Sequence, residues 1–259
     1  MSKLKYEKDY HDWWYSKGIS LCDWSKSIFS RMTPFNRYHN NYFYKLVLSL
    51  STDAKYILDY GCGDGSESLI FQKKSYQVLG FDISESGIRK AYIKIKENKI
   101  KNISFSVMDC ENLSFKDNVF DIIFGRGILH HIDIKKAFKE IIRVLKPNGY
   151  VVFLEPLGIN PLFKYLRKLL PSIETKGEHP LVIDDFKLFR SLFINSTFKF
   201  FHLFSILSSI LYKFNFYIKL FNKLHMIEEK IFLKITHLGF LAWTCLIILK
   251  NPKINNDLI

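Results

Sequence analysis

Between residues 56 and 155 short apolar runs alternate with longer helical patterns, an alternation that fits a parallel sheet covered by helices on both faces. Strands are expected at residues 56–60, 77–81, 103–107, 119–124 and 149–154, with helices near 66–73, 84–98 and 134–145 between them. Ser84 supplies an N-cap for the second of these helices. Lys146-Pro147-Asn148-Gly149 ends the third, because proline cannot continue a helix and glycine lets the chain turn. Upstream, residues 10–50 are rich in Trp, Tyr and Phe, are helical from Pro34 onward, and should pack over the open end of the sheet. Downstream, a helix is expected at 184–193 and strands at 197–204 and 242–249, with residues 205–241 forming one or two amphipathic helices. The chain thus divides into an N-terminal helical cap, residues 1–55, and a core, residues 56–259, that carries 205–241 as an insertion.

Composition narrows the classes. A chain of 259 residues with 48% hydrophobic and 24% charged residues builds one core with an appendage and is not disordered. Its cysteines, at positions 22, 62, 110 and 245, form no Cys-x-x-Cys pair, so reduced thiols are expected, with no disulfide framework and no metal site. The first residues lack the apolar stretch and cleavage site of a secretory signal, which makes the cytoplasm the expected location. The net charge of +13 is spread over lysines along the whole chain without a nucleic-acid motif, so no nucleic-acid partner is expected. Residues 200–212 and 235–249 contain no Lys, Arg, Asp or Glu, yet both fall short of the ~18 to 20 residues of a spanning helix. Residues 205–241 are then either a lid packed on the protein's own core or an interfacial element at the inner face of a membrane. In the second case Phe and Leu would lie on one side and Lys213, Lys219, Lys223, Lys230 and Lys234 on the other.

Chemistry concentrates at the end of the first strand, in Ile57-Leu58-Asp59-Tyr60-Gly61-Cys62-Gly63-Asp64-Gly65. Glycine at every second position lets the backbone of Tyr60, Gly61, Cys62, Gly63 and Gly65 turn tightly and approach a ligand with its N–H groups. A dinucleotide fingerprint would need its third glycine one residue later, where Ser66 stands, and Asp59 beside the loop would repel a pyrophosphate. The same carboxylate favours a ligand carrying sulfonium and ammonium charge. Asp82, about 20 residues beyond the glycines, is placed to accept from two ribose hydroxyls, and Ile83 to flank a purine ring. Asp109 is placed to accept from an adenine amine while the Cys110 N–H faces a ring nitrogen. Each acid has a plainer alternative as a helix or turn cap; their joint placement at successive strand ends is what that alternative leaves unexplained.

These segments, with Phe120-Asp121-Ile122-Ile123-Phe124 through Leu129-His130-His131 and then Arg143-Val144-Leu145-Lys146-Pro147-Asn148-Gly149, resemble the successive motifs of the class I S-adenosylmethionine-dependent methyltransferase superfamily. The branch they resemble includes ubiquinone and menaquinone C-methyltransferases and many small-molecule methyltransferases. The resemblance implies a doubly wound, Rossmann-like α/β fold with seven strands in the order 3-2-1-4-5-7-6, the last antiparallel. It also implies S-adenosyl-L-methionine as cofactor and transfer of a methyl group to O, N or C of a small-molecule substrate. Gly125, Arg126 and Gly127 should line the mouth where the methyl group leaves. Arg126 departs from the small or hydroxyl residues usual there, and either binds an anionic substrate or reaches solvent. His130 or His131 is a candidate general base, against a packing and capping role common in this branch. Glu155-Pro156-Leu157-Gly158 and Gly177-Glu178-His179-Pro180-Leu181 resemble a pattern in bacterial methyltransferases of unassigned substrate, making Glu155 and His179 candidates for substrate contact or for joining two loops. The aromatic N-terminal region and the Phe-rich segment after Thr197 favour an apolar or lipid-like acceptor. Two other readings stay open: a protein that binds the nucleoside without turnover, and a peripheral membrane protein.

Overall fold

Strands β1 (Tyr56–Tyr60), β2 (Gln77–Asp82), β3 (Ile103–Val107), β4 (Phe120–Arg126) and β5 (Leu145–Pro156) are mutually parallel, with β1 at the centre between β2 and β4. Two further strands, β6 (Phe193–Phe201) and β7 (Thr244–Pro252), complete a seven-stranded sheet of order β3-β2-β1-β4-β5-β7-β6, in which β7 runs antiparallel to both neighbours. The computed structural model describes residues 3–16, 33–72, 75–169, 178–211, 214 and 216–253; Cys22, Gly177 and Lys213 lie outside them.

Alternation along the strands feeds two cores, one on each face. On β4, Ile122 and Phe124 point to one side and Ile123 to the other. The first face is covered by α4 (Ile134–Val144) and α6 (Ile183–Leu192), with Phe138, Ile141, Phe186 and Phe189 buried against Phe120, Phe153 and Ile247. Helix α4 forms because Asp133 caps it, accepting from the Lys135 and Lys136 N–H groups, and because Ile134, Ala137, Phe138, Ile141 and Val144 recur on one face. The second face is covered by α2 (Thr33–Leu50) and α3 (Glu85–Glu97). Helix α2 inserts Phe43 and Val47 beside Phe124, so it lies mainly on the sheet's face, and among its described side chains only His39, near its start, reaches the crevice at the open end. That end is covered by α1 (Lys3–Ser16), which lies within the expected N-terminal helical cap but ahead of the helix expected from Pro34 onward, and which packs on α3.

Several boundaries differ from expectation, among them the start of β6 at Phe193 and the end of β7 at Pro252, and four of the differences have a visible cause. The helix expected near residues 66–73 is a single 3-10 turn, Ser68–Phe71, because Ser68 is drawn onto the buried Asp59 carboxylate and the bonds Ile70 N to Glu67 O and Gln72 N to Leu69 O tighten the turn. Strand β5 starts at Leu145, with Lys146 to Gly149 bulging out between the pairs Phe120–Leu145 and Ile122–Tyr150. Strand β6 ends at Phe201, earlier than expected, since His202 takes a φ of +69° and turns its N–H to Glu228. Strand β7 begins at Thr244, because the Trp243 N–H bends back to the carbonyls of Phe201 and His202.

Between β6 and β7 the chain forms two 3-10 segments, Ser205–Leu211 and Thr236–Leu241, around helix α7 (Tyr217–Lys234). One carboxylate joins them. Glu228, fully buried, accepts from the N–H groups of His202, Leu203, Phe204 and Ser205, from the Ser205 hydroxyl and from His225 Nδ1, thereby satisfying the free donors that open the first 3-10 segment. Tyr217 and Phe221 pack on Tyr38, Ile206 and Trp243, while Ile218, Met226, Ile227 and Leu233 stay exposed. No helix among the described residues is long and apolar enough to cross a membrane.

Candidate functional site

The strand order reverses between β1 and β4, and chains leaving the carboxyl ends of neighbouring strands there diverge and open a crevice. The crevice has a volume of about 940 Å³. Gly61, Asp82, Ile83, Met108 and Cys110 form one wall; Arg126, Gly127, Ile128, His130, His131, Glu155 and His179 form the facing side. Helix α1 closes the top with Glu7, Tyr10, His11 and Tyr15, and Leu188 and Trp243 add apolar surface.

The glycine turn is built as the sequence requires. Gly61, Gly63 and Gly65 adopt φ of 73°, 53° and 70°, and a Cβ on Gly61 would stand 2.8 Å from the Ile128 side chain. The Cys62 N–H donates to Phe81 O at 2.8 Å, which holds the turn against the end of β2. Asp82 accepts the Gly63 N–H on Oδ2 and the Ser84 N–H on Oδ1, both at 2.9 Å, so each oxygen retains lone-pair capacity for a ribose diol. Tyr60, fully buried, donates its hydroxyl to Cys110 O at 2.7 Å and so fixes the loop after β3.

Other expected site residues stand behind this wall. Asp59 is 2% exposed and accepts the Ser68 hydroxyl, which favours its anion, but burial, and then the Glu67 carboxylate, outweigh that bond and push it well above the usual carboxylate range. Asp109 accepts the Glu111 N–H at 2.8 Å and closes its own turn, while Cys110 and Glu111 reach the crevice. Gly125 allows close packing, since a Cβ there would stand 2.6 Å from the Phe153 ring and 2.7 Å from Tyr60 O. Arg126 lines the crevice with its guanidinium paired to Glu67.

On the facing side one buried acid organises the turn. Glu155 accepts the N–H groups of Ile128 and Leu129 at 2.8 and 3.0 Å on Oε1 and pairs its Oε2 with His130 Nδ1 at 2.8 Å. That pairing assigns the proton to Nδ1 and leaves His130 Nε2 as the basic nitrogen. The His179 N–H donates to His130 O at 2.7 Å, so the post-β5 segment is tied to the same turn. The His131 ring lies 4.1 Å from that of His130, and its Nδ1 is 3.4 Å from Glu7 on α1. Burial pushes the Glu7 carboxyl up, but the imidazoles of His11 and His131 outweigh it and hold its pKa at about 2. Burial and then His130 lower the His131 pKa, against the pull of Glu7.

Sequence reasoning placed the N-terminal cap over the open end of the sheet but singled out none of the α1 residues that wall the crevice. Glu7, His11 and Tyr15 recur at every fourth position and face inward, a spacing visible in the sequence once acids and imidazoles are counted as buried residues.

Residues 51–179 match the family model of a methyltransferase domain. The chain is 38% identical over 127 residues to the demethylmenaquinone methyltransferase of Lactococcus lactis, a match covering 45% of this chain and 50% of that one. It is 33% identical over 100 residues to the uncharacterized methyltransferase YcgJ of Bacillus subtilis, covering 38% of this chain and 40% of the relative. The chain thus matches half or less of the length of these relatives. Among solved structures, the PH0226 protein of Pyrococcus horikoshii shares the fold with a TM-score of 0.55 at 21% identity, covering 84% of this chain and 91% of that one. The sheet order and this match define a class: a Rossmann-like, doubly wound α/β fold. Residues 51–179 thus carry a methyltransferase domain of the class I S-adenosylmethionine-dependent type, whose cofactor is S-adenosyl-L-methionine.

Proposed function

We propose that this protein binds S-adenosyl-L-methionine along the wall of Gly61, Asp82, Ile83 and Cys110 and transfers its methyl group to a small, apolar or lipid-like acceptor. The observation that carries this reading is the continuity of one crevice from the glycine turn to His130, His131 and His179. The residues present fit the cofactor: Asp82 keeps acceptor capacity on both oxygens, and Ile83, Met108 and Cys110 offer a flat, mostly apolar slot for a purine.

When bound, the cofactor supplies a methyl group on a sulfonium, already a good leaving group. What the protein must add is position. Asp82 and the turned glycine backbone fix the nucleoside end. His130, oriented by Glu155, offers Nε2 to take a proton from an acceptor hydroxyl or acidic carbon. Tyr10, Ile128, Ile132, Leu188 and Trp243 line the acceptor side with apolar surface, and α1 closes over it to exclude water. The Lactococcus relative, named for its action on demethylmenaquinone, supports an apolar ring acceptor.

The test is incubation of cell extract with the protein and isotope-labelled S-adenosylmethionine, followed by mass spectrometry of solvent-extracted and aqueous fractions. Label in a solvent-extractable product is expected. Label confined to sugars or polar amines would overturn the apolar acceptor, and no label with no binding by titration would overturn the activity.

A further inference from the structure

Three clusters among the described residues bring histidines and a carboxylate together: His202, His225 and Glu228 in the insertion, and two in the crevice that share His131, namely Glu7, His11 and His131, and His130, His131 and Glu178, of which His130 is already held by Glu155. In the insertion, Glu228 beside His202 and His225 has its oxygens filled by backbone and side-chain donors, which makes it a structural node. In the crevice, Glu7 is 6% exposed, and among the described residues its oxygens have only the His11 and His131 imidazoles, paired at 3.5 and 3.4 Å outside hydrogen-bond geometry. The Nδ1 of His131 is likewise buried without a hydrogen bond. A carboxylate withdrawn from water in that condition is costly unless something else satisfies it.

The spacing points to what does. His11 Nε2 stands 3.5 Å and His131 Nδ1 3.4 Å from Glu7 Oε2, and the three ligand atoms lie within 4.8 Å of one another. Atoms held ~2.0 to 2.2 Å from one ion stand roughly 3 to 3.5 Å apart, so an ion fits between them with small adjustment. Each arm is fixed by its neighbours. His11 precedes Asp12, which α3 holds through Ser84 and Ser86, and His131 ends the turn anchored by Glu155.

We propose that Glu7, His11 and His131 form a site for a divalent first-row transition metal, with three protein ligands and its remaining positions open to the crevice. Two imidazoles and one carboxylate suit zinc or ferrous iron and disfavour magnesium or calcium. Sequence spacing could not show the site, because its ligands come from an N-terminal helix and from the turn after β4. The site does not depend on the methyl-transfer reading: it takes an ion whether or not a methyl group moves.

The experiment uses the full chain, stripped with chelator and titrated with Zn2+ and, in parallel, with Co2+ followed by its visible absorption. One equivalent should bind, and X-ray absorption of the zinc-loaded wild type should count imidazole nitrogens in the first shell. Glu7→Gln and His131→Gln should each weaken binding by at least about tenfold. His225→Gln, in the insertion cluster, and His237→Gln, an exposed histidine, should leave it unchanged. The proposal is overturned by absence of binding, by a first shell without imidazole, by binding retained in the Glu7→Gln/His131→Gln double variant, or by binding lost with His225→Gln. Circular dichroism of each metal-free variant checks its fold, and the absorption measurement on wild type decides the matter if a variant does not fold.

Discussion

Asp12 Oδ1 accepts the Ser84 hydroxyl at 2.7 Å, so α1 is pinned to the residue that caps α3 just beyond Asp82. The same oxygen takes the Ser86 N–H at 2.9 Å. Removing it in Asp12→Ala should loosen α1 over the crevice and weaken S-adenosylmethionine binding by about 1 to 2 kcal/mol. Titration calorimetry, with hydrogen exchange over residues 3–16, checks this. Unchanged affinity and unchanged exchange would separate α1 from the cofactor side.

Asp82→Ala removes the acceptor for two backbone N–H groups as well as the carboxylate offered to the ribose. Affinity for S-adenosylmethionine should fall by about 1 to 3 kcal/mol. An unaltered dissociation constant would take Asp82 out of the site.

For Glu155→Gln the expected loss is in stability as much as in activity. The carboxylate is fully buried and accepts three hydrogen bonds, one of them from His130, and an amide nitrogen in place of either oxygen would face a donor. Urea unfolding should show a loss of about 2 to 4 kcal/mol, with methyl transfer reduced further than the folded fraction explains. A variant as stable as wild type would show that the turn after β4 holds itself.

Glu228 gives stability a dependence on acidity. Burial raises its pKa, but His225 and the hydrogen bonds from Ser205 and Phe204 outweigh that and hold it below the ordinary 4.5. Because the folded-state value is the lower one, its contribution is complete above about 4.5 and is lost as the pH falls through the folded value. Urea midpoints measured from pH 6 down to acid should therefore decline less steeply for Glu228→Gln than for wild type. Parallel declines would assign the acid sensitivity to other carboxylates.

The central sheet was legible because its signals are local. In β1 four consecutive buried residues lead straight into glycines, and the predicted bounds coincide with the observed strand. Ser84 and Asp133 cap their helices through their own side chains, which again needs no distant partner. Elements whose limits are set by remote groups were harder. The end of β6 depends on Glu228, which lies 26 residues from His202 along the chain. The 3-10 turn at Ser68 depends on Asp59 across the turn. The bounds of α1 inside the expected N-terminal cap were not legible because the face it buries carries Glu7, His11 and Tyr15, so hydropathy has no apolar stripe to detect. At the site, the acids at strand ends were visible as a set, but which oxygen meets a ligand and which caps a turn is decided by packing, as Asp82 and Asp109 illustrate.

The wall proposed to clasp the nucleoside draws on one stretch of chain, from Gly61 to Cys110, whereas the opposite wall is gathered from α1, the turn after β4, the segment around His179, α6 and Trp243. Substitutions in those scattered pieces can reshape the chamber for a new acceptor while the donor grip stays intact, so selectivity is free to drift from one descendant to the next on an unchanged frame.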